Sequence, residues 1–79
     1  MTELLYCAEH PDRAPGNTRA VLVRWLATEG SLVRAGQPLA EVRRGRRHEH
    51  VRALATGTLH QQVRVGEPLF PGFPVGLIE

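Results

Sequence analysis

The densest chemistry in this chain is cationic: Arg43, Arg44, Arg46, Arg47 and His48 crowd around Gly45. Guanidinium groups make planar, bidentate contacts to carboxylates and phosphates and keep their proton at any ordinary pH, so the stretch suits anion binding and not base or nucleophile chemistry. All ten basic residues are arginine. The chain therefore offers no lysine amine that an activated acyl group could modify. His48 and His50 alternate along the chain and would share one face of a strand, with His60 as a further nitrogen ligand. Spacing fixes no third ligand for such a site, and no metal is expected. Cys7 has no charged neighbour that sequence can set beside it, and no Ser/His/Asp arrangement has a recognisable context. No catalytic residue is assigned and no enzyme activity is expected.

Stepping outward, the arginine cluster needs a tight turn between two strands, and Gly45 supplies the backbone freedom for one. Three roles compete for the segment Arg43–His48: a solvated turn, a dock for an acidic protein partner, and a nucleic-acid contact. Phosphate contacts need no more than this charge, but no aromatic residue lies near enough in sequence to stack on bases, which argues against nucleic acid. In the strand that follows, His48, His50 and Arg52 are expected to face water, with Glu49, Val51, Ala53 and Ala55 on the buried side.

The rest of the chain dictates a small all-β domain. Its 79 residues carry a net charge of +2, are 42% apolar and include four aromatics, so one modest aliphatic core is expected in a single domain spanning residues 1–79. A lone cysteine excludes an internal disulfide framework and favours a reducing, cytoplasmic setting. The opening residues, with an acid at Glu3 and a short apolar run, suggest neither a signal peptide nor a membrane span. Eight glycines and six prolines leave Asn17 to Glu29 as the longest stretch free of both, where β-favouring Val21, Val23 and Trp25 alternate as on a strand. A helix with Val21 and Trp25 one turn apart is the competing reading there. The expected core is Val21, Val23, Trp25, Val33, Leu39, Val42, Val51, Leu59, Leu69, Val75 and Ile78. Phe70 and Phe73 flank Pro71-Gly72 and either cap one end of the domain or face a partner.

An internal repeat gives the architecture a symmetry. Gly30, Val33, Gly36, Pro38, Leu39 and Val42 recur thirty-six residues later as Gly66, Leu69, Gly72, Pro74, Val75 and Ile78. A thirty-residue register pairs Val33–Leu39 with Val63–Leu69 more neatly but leaves the segment from Phe73 to Ile78 without a counterpart. Two similar halves predict a pseudo-twofold domain.

The residues from Val23 to Val42, with Trp25-Leu26, Glu29-Gly30 and Gly36-Gln-Pro38-Leu39, resemble the first half of a lipoyl domain. The likeness resumes at Val51, Ala53, Ala55, Gly57 and Leu59 and closes on Leu77-Ile78-Glu79. This resemblance to the biotinyl/lipoyl attachment family implies a flattened β-barrel or sandwich of two four-stranded antiparallel sheets. It also implies that Glu3 to Ala8 form the first strand and that His10 to Asn17 form a surface loop. Members present a modifiable lysine at a β-turn, as Asp-Lys-Ala in lipoyl and Ala-Met-Lys-Met in biotinyl domains. Counting from Glu41-Val42 sets Gly45-Arg46-Arg47 at that turn, with Arg46 in the lysine's place. A delocalised guanidinium cannot attack an acyl adenylate, so no covalent lipoate or biotin is expected. The resemblance then implies an interaction or assembly module, with a protein partner that is acidic or a subunit of a multienzyme complex. The alternative is anion or nucleic-acid binding through the hairpin 43–47.

Overall fold

A computed structural model describes residues 1–6 and 20–79. The described residues form eight strands and no helix: β1 Thr2–Leu5, β2 Ala20–Trp25, β3 Leu32–Val33, β4 Pro38–Arg44, β5 Arg47–Arg52, β6 Gly57–Gln61, β7 Pro68–Leu69 and β8 Pro74–Ile78. They pair antiparallel into two four-stranded sheets, sheet I in the order β1-β8-β6-β3 and sheet II in the order β5-β4-β2-β7. No strand of one sheet pairs with a strand of the other, so the layers form an open sandwich and not the closed barrel that was one form of the expectation. The edge strands β3 and β7 are two residues each, too short to bridge the gap between sheets. None of the described segments is a helix long and apolar enough to cross a membrane.

The thirty-six-residue repeat is written into this topology. Advancing every strand by four, with β8 followed by β1, converts the order β1-β8-β6-β3 into β5-β4-β2-β7. The turn hydrogen bonds obey the same operation: Gly30 N–H donates to Leu59 O at 2.8 Å and Gly66 N–H to Leu22 O at 2.8 Å. Likewise Gln37 N–H donates to Arg34 O at 2.9 Å and Phe73 N–H to Phe70 O at 2.8 Å. Gly30 and Gly66 take φ of 80° and 92°, a left-handed conformation that side chains with a Cβ resist, which is why the repeat preserves glycine there. The thirty-residue register repeats one turn, Glu67 N–H donating to Arg64 O at 3.1 Å as Gln37 N–H does to Arg34 O, but it sets β4 on β7 within sheet II and does not relate the two sheets.

Leu4, Leu22, Val33, Leu39, Val42, Leu59, Leu69, Val75 and Ile78 fill the space between the sheets and are fully buried. The expectation for β2 was offset by one residue: Ala20 and Leu22 point inward, Val21 and Trp25 are half-buried, and Val23 is exposed. A β-bulge explains the error. Leu22 pairs with Val42 and Arg24 with Glu41, so Val23 is an extra residue that resets the alternation and returns Trp25 to the inner side. There the Trp25 indole N–H donates to Val63 O at 3.1 Å. Val51 is half-buried rather than fully enclosed. The first strand ends at Leu5, short of the expected Ala8, and Tyr6 continues with backbone bonds to Phe73 O and from Gly72 N–H. Cys7, Ala8 and the expected loop His10 to Asn17 lie outside the described residues.

Candidate functional site: the arginine hairpin

Strands β4 and β5 meet in a two-residue turn of Gly45 and Arg46, closed by the pair Arg44 and Arg47. Gly45 has φ of 63°, and no residue other than glycine has positive φ among those described. That combination, glycine first and an ordinary residue second, is the pattern of a type II′ turn, whose twist matches the flanking strands. Arg46 therefore stands at the tip, exposed to solvent, where Arg46 was expected.

The hairpin does not expose all four arginines. Cross-strand neighbours share a face, so Arg44 and Arg47 belong with Val42 and Glu49 on the inner side of sheet II, while Arg43 and His48 lie on the outer side. Arg47 escapes the core because the strand runs past it. Arg44 does not: its side chain is 7% exposed, and its Nη2 donates to Glu49 Oε2 at 3.3 Å. The other carboxylate oxygen, Oε1, accepts from the Tyr6 hydroxyl at 3.0 Å. Burial, then the bond to Glu49 and its negative charge, push the Tyr6 phenol up to about 12. Since Tyr6 follows β1 of sheet I, this triad ties the base of the hairpin to the opposite layer. The expectation of four protruding guanidiniums is thus corrected to three: Arg43, Arg46 and Arg47.

Those three are exposed and make no side-chain hydrogen bond or ion pair among the described residues. Beside them on the outer face, Glu41 accepts from Arg24 Nε at 2.8 Å and meets His48 Nδ1 at 3.1 Å. The bond from Arg24 and then that from His48 hold the Glu41 carboxyl below its usual range. The acid nearest the tip on this face is therefore already neutralised, and the tip presents net positive charge.

His48, His50 and Arg52 face outward as expected, and Glu49 and Ala53 are buried. His60 lies on β6 of the other sheet, so the three histidines do not converge. Instead its Nδ1 meets Glu29 Oε2 at 3.0 Å and its Nε2 meets Glu79 Oε1 at 2.6 Å. The bonds to Glu29 and Glu79 raise the His60 pKa. Among the described residues, no cluster of three or more His, Cys, Asp or Glu side chains has metal-holding geometry. Phe70 is half-exposed and packs edge-on against the more buried Phe73, with ring centroids 6.5 Å apart and planes at 72°.

Alternation puts Glu49 on the inner side, where a carboxylate must find donors, but spacing does not name them; Tyr6 carried no signal, because its partner is forty-three residues away. Compared with known proteins, the chain matches no family model and no curated protein.

Proposed function

We propose that the chain is a lipoyl/biotinyl-like domain that has lost its attachment lysine and serves as a non-enzymatic interaction or assembly module in the cytoplasm. In this reading it is related to the carrier domains of 2-oxo acid dehydrogenase or biotin-dependent carboxylase complexes and carries no covalent cofactor. One observation carries the reading: a duplicated two-sheet sandwich presents an exposed hairpin tip at Gly45-Arg46, the turn where such carriers display their lysine, in a chain with no lysine. The internal symmetry supports the kinship independently of the sequence likeness. With the acceptor amine gone, what is left at the tip is a rigid, positively charged knob, and the partner it fits is an acidic protein surface.

Two measurements test this. Expressed with lipoate and biotin ligases, the wild-type protein keeps the mass of its bare chain, whereas Arg46→Lys with Arg47→Ala, made with and without Gly45→Asp, gains a lipoyl or biotinyl group on the introduced lysine. Asp tolerates the positive φ of position 45 better than most residues. A folded variant that no ligase modifies in either background would overturn the kinship. Binding to purified dehydrogenase or carboxylase subunits should be lost on Arg46→Ser with Arg47→Ser.

The three exposed guanidiniums of Arg43, Arg46 and Arg47 also favour a second reading, anion or nucleic-acid binding through hairpin 43–47. Duplex or single-stranded binding whose affinity falls steeply with salt, by about one log unit per log unit of salt for each phosphate neutralised, would decide for it.

A further inference from the structure

The two sheets are alike in topology and opposite in charge. In sheet II, cross-strand pairing lines up His50, Glu41 and Arg24 in one outer row and His48, Arg43 and Val21 in the next. The equivalent outer row of sheet I is Glu3, Leu77 and His60. The thirty-six-residue repeat carries Arg24 onto His60, Glu41 onto Leu77 and Arg43 onto Glu79. Where sheet II has an exposed guanidinium, sheet I thus has a carboxylate or a histidine bound by carboxylates.

The strand inventory gives the same contrast. The strands β1, β3, β6 and β8 of sheet I contain no arginine, with Arg34 next to the short edge strand β3, and the acids on or beside the outer face are Glu3, Glu29 and Glu79. Sheet II exposes Arg24, Arg43 and Arg52 on its outer side, and its outer acid, Glu41, is already bonded to Arg24. Apolar surface accompanies the charge on both sides. Leu5 and Leu32 are exposed on sheet I at 48% and 73%, and Val23 is exposed on sheet II at 36%.

We infer that the outer face of sheet II is a docking surface for the outer face of sheet I of a second copy of this chain. The pseudo-twofold gives both faces the same strand order and hence the same outline, while their charges complement. Glu3 and Glu79 of one copy then meet Arg43 and Arg24 of the next. The contact is heterologous: each copy uses one face to give and the other to receive, so association propagates into open chains or rings instead of stopping at a closed pair. Exposed ion pairs are individually weak and screened, so assembly belongs to low ionic strength and high local concentration. The inference does not rest on kinship with carrier domains, and the ligase experiment can fail without touching it.

Sedimentation velocity of the full chain is the test, at protein concentrations up to about 1 mM, in about 0.01 M and about 1 M NaCl, where the Debye length falls from about 30 Å to about 3 Å. The weight-average mass should rise at least about twofold with concentration at low salt and return to that of the monomer at high salt. Reversing either face, by Arg24→Gln with Arg43→Glu or by Glu3→Arg with Glu79→Arg, should leave each variant monomeric and still folded by circular dichroism. Mixing the two should restore association, because one variant is then acidic on both faces and the other basic on both. A wild-type chain that stays monomeric at low salt, or variants that associate as the wild type does, would overturn the inference. So would a monomer whose basic face instead captures polyglutamate or duplex DNA.

Discussion

Tyr6, Arg44 and Glu49 bring a phenol, a guanidinium and a carboxylate into a space otherwise lined by aliphatic side chains, with Tyr6 and Arg44 both donating to Glu49. A buried ion pair adds little over a well-packed apolar pair. Glu49→Ala removes the acceptor that Tyr6 and Arg44 share and should destabilise by about 1–3 kcal/mol, a large share of the stability of so small a domain. Tyr6→Phe removes one donor from Glu49 and should cost about 1–3 kcal/mol in urea denaturation. Arg44→Met with Glu49→Leu should recover most of the loss from Glu49→Ala; a double variant as unstable as the single would mean that the pair contributes more than its own satisfaction.

His60 sets a pH dependence of its own. Its pKa is raised by Glu29 and Glu79, so its contribution to stability is complete below the ordinary histidine value of 6.5 and is lost as pH rises through the raised value. The Glu29 pKa is lowered, chiefly by the Gln61 backbone N–H and then by His60, so its contribution holds above 4.5 and is lost as pH falls through the lowered value. The cluster thus works best between 4.5 and 6.5. The melting-temperature gap between wild type and His60→Gln should be widest there and shrink above neutrality; a gap that does not vary with pH would remove the assignment.

At the scale of the element, β2 is where sequence and structure part. Leu22 is wholly buried while Val23 sits on the bulge, so Leu22→Asp should unfold the domain and Val23→Asp should be tolerated, as amide exchange or circular dichroism will read directly. The opposite result would restore the Val21, Val23, Trp25 face. In sheet I, β6 and β8 approach closely at Gly76, where a Cβ would come within 2.8 Å of the His60 carbonyl oxygen. Gly76→Ala should push these strands apart and cost about 1–3 kcal/mol. Arg46 and Arg47 are exposed at the hairpin tip, and Arg46→Ser and Arg47→Ser should each change stability by no more than about 0.5 kcal/mol.

At the scale of the molecule, the duplicated fold makes each half a control for the other. The operation that carries β4 onto β8 and β2 onto β6 preserves turns, buried aliphatic positions and backbone bonds, and it preserves neither surface charge nor the inner polar triad. Core and turns are held in common because both halves must bury the same interface. The surfaces are under no such constraint, and there the halves have diverged, into a cationic hairpin and outer face on sheet II and an acidic outer face on sheet I. If Arg46→Ser with Arg47→Ser abolishes subunit binding but leaves low-salt self-association intact, tip and face act separately.

The sequence by itself determined the strand class, the repeat, the turn at Gly45-Arg46 and the absence of any acceptor amine, because each follows from local backbone freedom or from residue identity. Alternation also placed Glu49 inside and His48 and His50 outside, since β5 runs without a break in its pairing with β4 from Ala40 to Arg44. Only the tertiary structure decided the parity of β2, because one inserted residue at a bulge resets every position after it and leaves no mark in composition. It alone decided that Arg44 is withdrawn from the cluster, a choice made by Tyr6 and Glu49 across a gap between layers that no sequence spacing encodes. The opposition of the two charged faces has the same origin: the charges can be counted in the chain, but the sheet that carries each is fixed by the pairing of strands distant in sequence.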